Sequence, residues 1–263
     1  MIGLFLGNTD FPKLIIKNLK KKKIKYFIID LTNKNRFIKD NNSYHINIGQ
    51  FGKILNLIHT KKCKKVLFAG KIDKPKLSSL KLDFKGLYYL PRIVAAFKLG
   101  DAAILKELIK ILSENIIKVI KSNYFNPELT LSRGNFCKAK PSKFDIVDIK
   151  KGIKTLNELN AHNHIQALVV KNNIIIKKET LRGTKKMLQA INKGKVAGGI
   201  LIKFPKKKQD LRADLPTVGI DTLRDCMKAN LKGIVLKSNQ NIFIDKKKCI
   251  SFANKNKIFI NVI

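Results

Sequence analysis

The sequence predicts an α/β protein with a Rossmann-like N-terminal domain, built on a parallel sheet, and a second α/β C-terminal domain. In the first half, short apolar runs alternate with segments of helical periodicity, which is typical of a doubly wound parallel sheet. Between Asn126 and Lys143 this pattern gives way to Asn, Pro, Gly and Lys, as expected for a linker. We therefore expect domains at residues 1–130 and 145–263, joined by a linker at 131–144.

The first-half elements follow from apolar periodicity. Short apolar runs flanked by Lys favour buried parallel strands. Apolar side chains on one helical face favour helices between them, as with Ile54, Leu55, Leu57 and Ile58. The predicted strands are Ile2–Leu6, Tyr26–Asp30, Val66–Ala69 and Ile116–Ile120, and the predicted helices are Phe11–Lys20, Ile48–Thr60 and Ile93–Leu112.

The second half shows the same alternation after the linker. Asn172-Asn173 separates two apolar runs and predicts a turn between two strands. The predicted helices are Asp145–Asn160, Thr184–Asn192 and Thr222–Asn230. The predicted strands are Ala167–Val170, Ile174–Lys177, Gly198–Lys203, Gly233–Leu236, Asn241–Ile244 and Ile258–Ile260.

Composition bounds the class of protein. At 263 residues and 44% hydrophobic content the chain can bury a sizeable core. No apolar stretch approaches the ~18 residues of a membrane span, and the apolar run Met1–Gly7 is too short for a signal peptide. The four cysteines are scattered without a C-x-x-C pair, which predicts neither a disulfide framework nor a zinc site. We expect a cytoplasmic protein, with His162 and His164 as surface residues rather than a metal pair.

The net charge of +37 suggests an anionic partner, either nucleic acid or a membrane surface. The lysines, however, are spread over the whole length and accompany abundant Ile and Asn. No RNA-binding signature interleaves aromatic residues with them. We therefore interpret the charge mainly as solvated surface, with attraction to anionic phospholipid as a secondary use.

Two turns at the carboxyl ends of predicted strands can bind anions. The strand Ile2–Leu6 runs through Gly7 and Asp10 into a helix, and a helix N-terminus offers unpaired backbone N–H groups to an anion. The strand Val66–Ala69 ends in Gly70-Lys71. Ligands of open α/β sheets bind at this edge, so Lys71 is placed to hold a nucleotide phosphate; a solvated surface lysine is the alternative.

The densest group of polar residues follows the strand Gly198–Lys203. Asp210 and Asp214 stand four apart with Arg212 between them. One interpretation is a local ion pair of Arg212 with either carboxylate, which is common at surfaces. The other is a pair of Mg²⁺ ligands, with Arg212 and Lys203 holding phosphate, because Mg²⁺ takes one or two carboxylates plus phosphate oxygens. Spacing alone leaves both open.

A family resemblance favours the second interpretation. The chain resembles the UDP-2,3-diacylglucosamine pyrophosphatase family of lipid A synthesis, of the two-domain type and not the calcineurin-like type. The resemblance covers essentially the whole chain and also includes Gly70-Lys71 and Leu99–Leu105. It is densest between Gly198 and Gly233, at Lys203, Pro205, Gln209, Asp210, Arg212, Asp214-Leu215-Pro216, Gly219, Thr222 and Gly233.

The resemblance implies Mg²⁺-dependent hydrolysis of the diphosphate of UDP-2,3-diacylglucosamine to 2,3-diacylglucosamine 1-phosphate and UMP. It implies metal binding by Asp214 and Asp210, and catalytic roles for both with Arg212 and Lys203. The substrate-binding residues that we expect are Gly7, Asp10, Lys71, Asp101, Gly183, Thr184, Gln209 and Thr217.

The clearest departure from the family is at residues 182–185. Similar sequences carry an acid on each side of the pair Gly183-Thr184, where this chain has Arg182 and Lys185. We therefore place the metal on the later Asp pair. Asp101 is expected as a polar contact or as a helix N-cap.

The implied partners are the lipid-linked nucleotide sugar and the cytoplasmic face of the inner membrane, bound reversibly through lysines. We expect no specific nucleic acid partner, and a homodimer stays open. Two alternatives from other classes remain: a basic nucleic-acid-binding protein and a Rossmann-type nucleotide-sugar oxidoreductase. The oxidoreductase is disfavoured because the G-x-G-x-x-G fingerprint is missing.

Overall fold

The computed structural model of the chain describes residues 1–72, 80–162, 165–191, 197–207 and 209–263, without the side chains of residues 160–162. The histidine pair His162 and His164 therefore lies outside the described side chains. Two compact units are present. The first contains Met1–Pro127 and Asp210–Asp214, and the second contains Glu128–Gln209 and Leu215–Ile263. The sequence placed the two-Asp loop with the C-terminal domain, whereas residues 210–214 belong to the first unit because they pack with it.

The first unit is built on a parallel sheet of five strands in the order β3-β2-β1-β4-β5. The strands are β1 (Ile2–Leu6), β2 (Tyr26–Asp30), β3 (Ser43–His45), β4 (Lys65–Ala69) and β5 (Lys118–Val119). Strands β1 and β2 are buried along their whole length, as expected for the centre of a sheet covered on both faces. The predicted α/β class with a parallel N-terminal sheet is confirmed.

Four helices of the first unit are α1 (Phe11–Lys21), α2 (Phe51–Thr60), α3 (Phe84–Leu99) and α4 (Asp101–Glu114). The single helix predicted over Ile93–Leu112 was wrong. Two helices cover this region, and they are separated by Gly100, whose φ of 100° a helix cannot accommodate. Gly100 is also the N-cap of α4, so Asp101 lies in the first turn and is not the cap.

The start of α3 is fixed by one carboxylate. Asp83 caps the helix by accepting from the backbone N–H of Gly86 at 2.8 Å. It also accepts from the N–H groups of Gly52 and Lys53 at the start of α2, at 3.0 and 2.9 Å. Burial alone would raise the pKa of Asp83, but these three N–H groups outweigh it and lower the pKa. Asp83 thereby ties α3 to α2.

The body of α3 is tied to α4 by Arg92. Its Nε lies 2.6 Å from Glu107, and its two terminal nitrogens each lie 2.8 Å from Glu114. The hydrogen bonds that the Arg92 guanidinium donates to Glu114 and Glu107 raise its pKa. A bidentate guanidinium–carboxylate pair fixes geometry better than a single contact does. The helices α3 and α4 therefore form one hairpin of defined shape.

The second unit contains a mixed sheet of six strands in the order β6-β13-β11-β9-β7-β8. Strands β13, β11 and β9 pair in parallel, whereas β6 joins β13, β7 joins β9 and β8 joins β7 by antiparallel pairing. Two further strands, β10 and β12, pair with each other in a separate parallel ribbon. The strands are β6 (Gly134–Asn135), β7 (Ala167–Lys171), β8 (Ile174–Lys178), β9 (Ile200–Lys203), β10 (Thr217–Val218), β11 (Gly233–Leu236), β12 (Ile242–Phe243) and β13 (Phe259–Val262).

Helices of the second unit are α5 (Lys143–His162), α6 (Gly183–Gln189), α7 (Ile220–Lys228) and α8 (Lys246–Lys255). The β7–β8 turn at Asn172-Asn173 forms as predicted, with φ of 49° and 59°. The stretch 131–144, expected as a linker, is instead folded into this unit. It supplies β6 and the buried side chains of Leu131 and Cys137, which the scarcity of apolar residues there concealed.

Each unit has its own apolar core. In the first unit, side chains of β1, β2 and β4 pack with α2 and α4, and the rings of Phe5 and Phe68 stack 4.7 Å apart. In the second unit, separate clusters contain alternate residues of β9, with Leu201 in one and Ile200 and Ile202 in the other. Across the described residues, no helix has both the length and the apolar character needed to span a bilayer.

Candidate functional site

The first turn of the N-terminal unit lies against the loop that follows β4. The backbone N–H of Asn8 donates to the carbonyl of Lys71 at 2.7 Å, and the reverse bond is 3.0 Å long. This approach requires glycine on both sides. A Cβ at Gly7 would lie 2.4 Å from the Lys71 carbonyl oxygen, and one at Gly70, where φ is 85°, would lie 2.3 Å from that of Asn8. Lys71 therefore lies beside the first turn, where the sequence placed it.

Asp10 has a different environment. Its side chain is exposed and forms ion pairs with Lys13 at 3.3 Å and Arg36 at 3.1 Å. It does not cap α1. Thr9, just before it, has a φ of 91°, a strained backbone conformation for a β-branched residue. Gly7 thus shapes the predicted anion site, whereas Asp10 is engaged by surface cations.

A cavity of about 290 Å³ lies in the first unit. Its walls come from β4, the loops before α2 and after β4, and the α3–α4 hairpin. They are mainly aliphatic and aromatic, as is typical of a site for an apolar ligand. The apolar side chains that line it are Ile48, Phe51, Phe68, Ile72, Leu80, Leu82, Tyr89, Leu90, Ile93, Phe97, Ile104, Leu105, Leu108 and Ala213.

The same cavity brings together three charged residues that the sequence singled out separately. Among its described lining residues, the charged ones are Lys71, Asp101 and Asp214. All three are exposed, so they form a charged rim around an apolar interior. This combination suits an amphiphile with an apolar chain and an anionic head.

The loop 210–214 is a compact turn. The N–H groups of Ala213 and Asp214 both donate to the carbonyl of Asp210, at 3.1 and 2.9 Å. The N–H of Ser122 donates to the carbonyl of Arg212 at 2.8 Å, which fixes the turn within the first unit.

Asp210 is engaged within this turn. The Arg212 guanidinium donates to both of its oxygens, with the shortest distance 2.7 Å, and thereby holds the pKa of Asp210 below its usual value. This is the local ion pair that the sequence left open. Asp214, rather than Asp210, is the carboxylate of this loop that lines the cavity.

The second unit contains a polar cavity of about 270 Å³. Three predicted residues converge there: Lys203 at the end of β9, and Gly183 with Thr184 at the start of α6. Arg182 and Lys185, the basic residues that stand where similar sequences carry acids, also line this cavity and are exposed. The other lining residues are Gln166, Glu179, Leu188, Thr222 and Asp225.

Glu179 organises this polar cavity, and sequence analysis missed it. It is only 3% exposed, and its carboxylate accepts from Thr184 Oγ1 at 2.8 Å and from the Gln166 N–H at 2.9 Å. Lys203 is also buried and donates to the Thr217 carbonyl at 3.2 Å. Burial lowers the pKa of Lys203, although the charge of Glu179 opposes this. The sequence held one signal for Glu179: it is an acid just after a predicted strand, in a chain where 18 acidic residues stand against 55 basic ones.

Gln209 and Thr217 were predicted as substrate contacts. The Gln209 side chain is buried and accepts from the Lys206 N–H at 2.9 Å, so it shapes its own turn. The Thr217 side chain is exposed, while its carbonyl accepts from Lys203.

Comparison with known proteins identifies the family. Residues 1–129 match the LpxI N-terminal domain, and residues 132–261 match the LpxI C-terminal domain. The chain belongs to the LpxI family. A curated relative, UDP-2,3-diacylglucosamine pyrophosphatase LpxI of Caulobacter vibrioides, is 29% identical over 223 residues, which cover 82% of this chain and 80% of the relative. The resemblance seen in the sequence is thereby confirmed.

The metal that the LpxI resemblance implies can be tested against the side chains at the rim. In the described part of the chain, no cluster of three or more His, Cys, Asp or Glu residues could hold a metal ion. The cavity nevertheless presents two carboxylates, Asp101 and Asp214. Mg²⁺ is commonly held by one or two carboxylates, with water and substrate phosphate as the other ligands. This donor set therefore fits Mg²⁺ bound together with a diphosphate.

A buried acid of this LpxI-family chain bears on the oxidoreductase alternative. In Rossmann dehydrogenases, an acid at the end of the second strand binds the ribose of the dinucleotide. Asp30 ends β2, but it is fully buried and accepts from Thr32 N–H, Thr32 Oγ1 and Phe37 N–H at 2.8, 2.7 and 3.0 Å. Asp30 thus holds its own loop, which argues against a dinucleotide role.

Proposed function

We propose that this chain hydrolyses the diphosphate of UDP-2,3-diacylglucosamine to 2,3-diacylglucosamine 1-phosphate and UMP, a reaction of lipid A biosynthesis. The observation that carries this proposal is the apolar cavity with Lys71, Asp101 and Asp214 at its rim. Membership of the LpxI family and the name of the Caulobacter relative support the same reaction.

The apolar interior would take an acyl chain of the substrate. Its walls are aliphatic and aromatic side chains of the α3–α4 hairpin, such as Ile93, Phe97 and Leu108. Each methylene removed from water contributes ~0.8 kcal/mol, so even part of one acyl chain gives substantial binding energy. Because the charged residues are at the rim, an acyl chain in the cavity places the polar head of the lipid beside them.

At the rim, Asp214 would orient the attacking water and Lys71 would stabilise negative charge on the non-bridging phosphate oxygens. Such preorganised charges supply most of the catalysis in phosphoryl transfer. Asp210 has a supporting role, because its bidentate pair holds the Arg212 guanidinium in one orientation two residues before Asp214. In the second unit, we propose Lys203 and Thr184, which line the polar cavity, as phosphate-binding residues.

We further propose Mg²⁺ as the cofactor, held by Asp214 and Asp101. When bound, it would neutralise charge on the diphosphate and lower the pKa of a bound water. Asp210, which the resemblance also implies as a ligand, does not line the cavity, and both of its oxygens accept from Arg212.

The reaction is tested by incubating the full chain with UDP-2,3-diacylglucosamine and Mg²⁺ and identifying the products by mass spectrometry. We expect UMP and 2,3-diacylglucosamine 1-phosphate in equal amounts. Release of UDP with free diacylglucosamine, or no turnover, would contradict the proposal. RNA binding that weakens steeply with salt, without UMP release, would favour the nucleic-acid alternative.

The metal is tested separately by removing it. We expect EDTA to abolish UMP release and excess Mg²⁺ to restore it. Unchanged release of the expected products in EDTA would refute the Mg²⁺ assignment and leave the hydrolase assignment intact.

We also propose that the chain works at the cytoplasmic face of the inner membrane and binds it peripherally. A diacylated substrate resides in a bilayer, and lysines near an anionic surface contribute ~1 kcal/mol each. The net charge of +37 supports this attraction.

A further inference from the structure

The helix α3 exposes large apolar side chains on its outer face. Phe84, Leu87, Tyr88 and Leu99 are 87%, 60%, 70% and 71% exposed. The first three occupy adjacent turns of the helix, and Leu99 ends it. Phe84, Tyr88 and Leu99, with the exposed Pro91 and Ala95 between them, are spaced by three or four residues and so share one face. Grouped exposure of this kind usually marks an interaction surface.

The inner face of the same helix borders the apolar cavity. Gly86, Tyr89, Leu90, Ile93 and Phe97 all line it. The helix therefore has apolar residues on two faces, one toward the cavity and one toward solvent. A surface helix of a soluble domain normally has a polar outer face.

Positive charges flank the exposed apolar face. Lys81, Lys85 and Lys98 are all exposed near the two ends of α3. The nearby acid, Asp83, accepts three backbone N–H groups and is thus engaged within the fold. Lysines around exposed aromatic and aliphatic side chains are the pattern of helices that lie in the interface of an anionic bilayer.

We propose that the outer face of α3 is the membrane-docking surface, with Phe84, Leu87 and Tyr88 inserted into an anionic bilayer and Lys81, Lys85 and Lys98 at the headgroups. This proposal rests on the proposed function in one respect, which is that the substrate is a lipid. It places the bilayer against the helix that walls the acyl cavity.

The main competing occupant is a second copy of the chain. A stable protein–protein interface typically takes about 20–30 residues from each partner. The outer face of α3 offers far fewer: three large apolar side chains close together near its start, and Leu99 at its end. Flanking lysines would also repel the same lysines of another copy across a two-fold axis. Both features favour a lipid surface.

Fluorescence gives a direct test, because the chain contains no Trp. In Tyr88→Trp the new indole is the sole Trp. We expect its emission to shift to shorter wavelength on anionic phosphatidylglycerol vesicles and to be quenched by brominated acyl chains. The matched control is Ile38→Trp, at a position of the first unit that is 69% exposed; its emission should stay unchanged. Equal behaviour of the two variants would overturn the proposal.

A second variant tests the energetics. We expect Phe84→Ser/Leu87→Ser to lower affinity for these vesicles by roughly 10–100-fold, while Ile38→Ser binds like the wild type. Release of UMP from detergent-dispersed substrate should be unchanged, so a failed docking surface is distinguishable from a failed hydrolase assignment. Undiminished vesicle binding of the double variant would refute the proposal. So would Tyr88→Trp emission that is already blue-shifted without lipid, because protein would then cover this face.

Discussion

Replacing Asp214 by Ala is expected to lower the turnover of UDP-2,3-diacylglucosamine by roughly 10²–10⁴-fold, the range for loss of a catalytic acid–base or electrostatic group. Asp214 is the carboxylate of the loop 210–214 that lines the cavity, and it is exposed at the rim. Because an exposed carboxylate contributes little to the core, the variant should stay folded. Initial rates of UMP release, with circular dichroism as the check on folding, measure this effect.

Two further variants make this result specific. Asp214→Asn keeps the size of the side chain but removes the charge, and it should be nearly as impaired. Asp221→Ala removes an exposed carboxylate, 83% accessible, from the helix α7 of the second unit and should retain full activity. A folded Asp214→Ala protein with near-native rates would remove Asp214 from the mechanism.

Filling the cavity is expected to produce the other large effect. Ile104 lies one turn after Asp101 on α4, lines the cavity and is partly buried. An indole at this position would occupy space that the acyl chain needs. We expect Ile104→Trp to lower kcat/KM for the long-chain substrate by roughly 10–100-fold, since apolar pockets discriminate by volume. The rate with a diacetyl analogue, which has no long chain to place, should change little.

The matched control is Lys110→Trp, which adds an indole to an exposed position of the same helix. It should leave both substrates unaffected. If Ile104→Trp instead lowered activity equally on the long-chain and diacetyl substrates, the cavity would not be the acyl site.

Much of the fold followed from local patterns. Strands such as β1 and β2 were predictable because a buried parallel strand is a short, mainly apolar run. The break between α3 and α4 was not, because apolar periodicity continues across Gly100 and only its backbone conformation ends the helix. The strand β6 was missed because two residues with exposed side chains carry no periodicity.

The site was predictable only in part, for a related reason. Lys71 could be placed beside the first turn since the carboxyl ends of neighbouring parallel strands meet at one edge. The placement of Asp101 and Asp214 at one cavity depends on the return of residues 210–214 to the first unit, and no local pattern encodes that path. Likewise, the pairing of Arg212 with Asp210 was one of two outcomes that spacing allowed, and side-chain geometry decided between them.

If one cavity of the first unit holds the acyl chain of a nucleotide lipid while residues at its rim act on the diphosphate, a photoreactive acyl chain will label the walls of that cavity. A substrate analogue with a diazirine near the end of one acyl chain would be bound, irradiated and located by peptide mass spectrometry. We predict label within Phe84–Leu99 and Asp101–Glu114, competed by unlabelled substrate. Competable label confined to peptides of Glu128–Gln209 or Leu215–Ile263 would contradict the account.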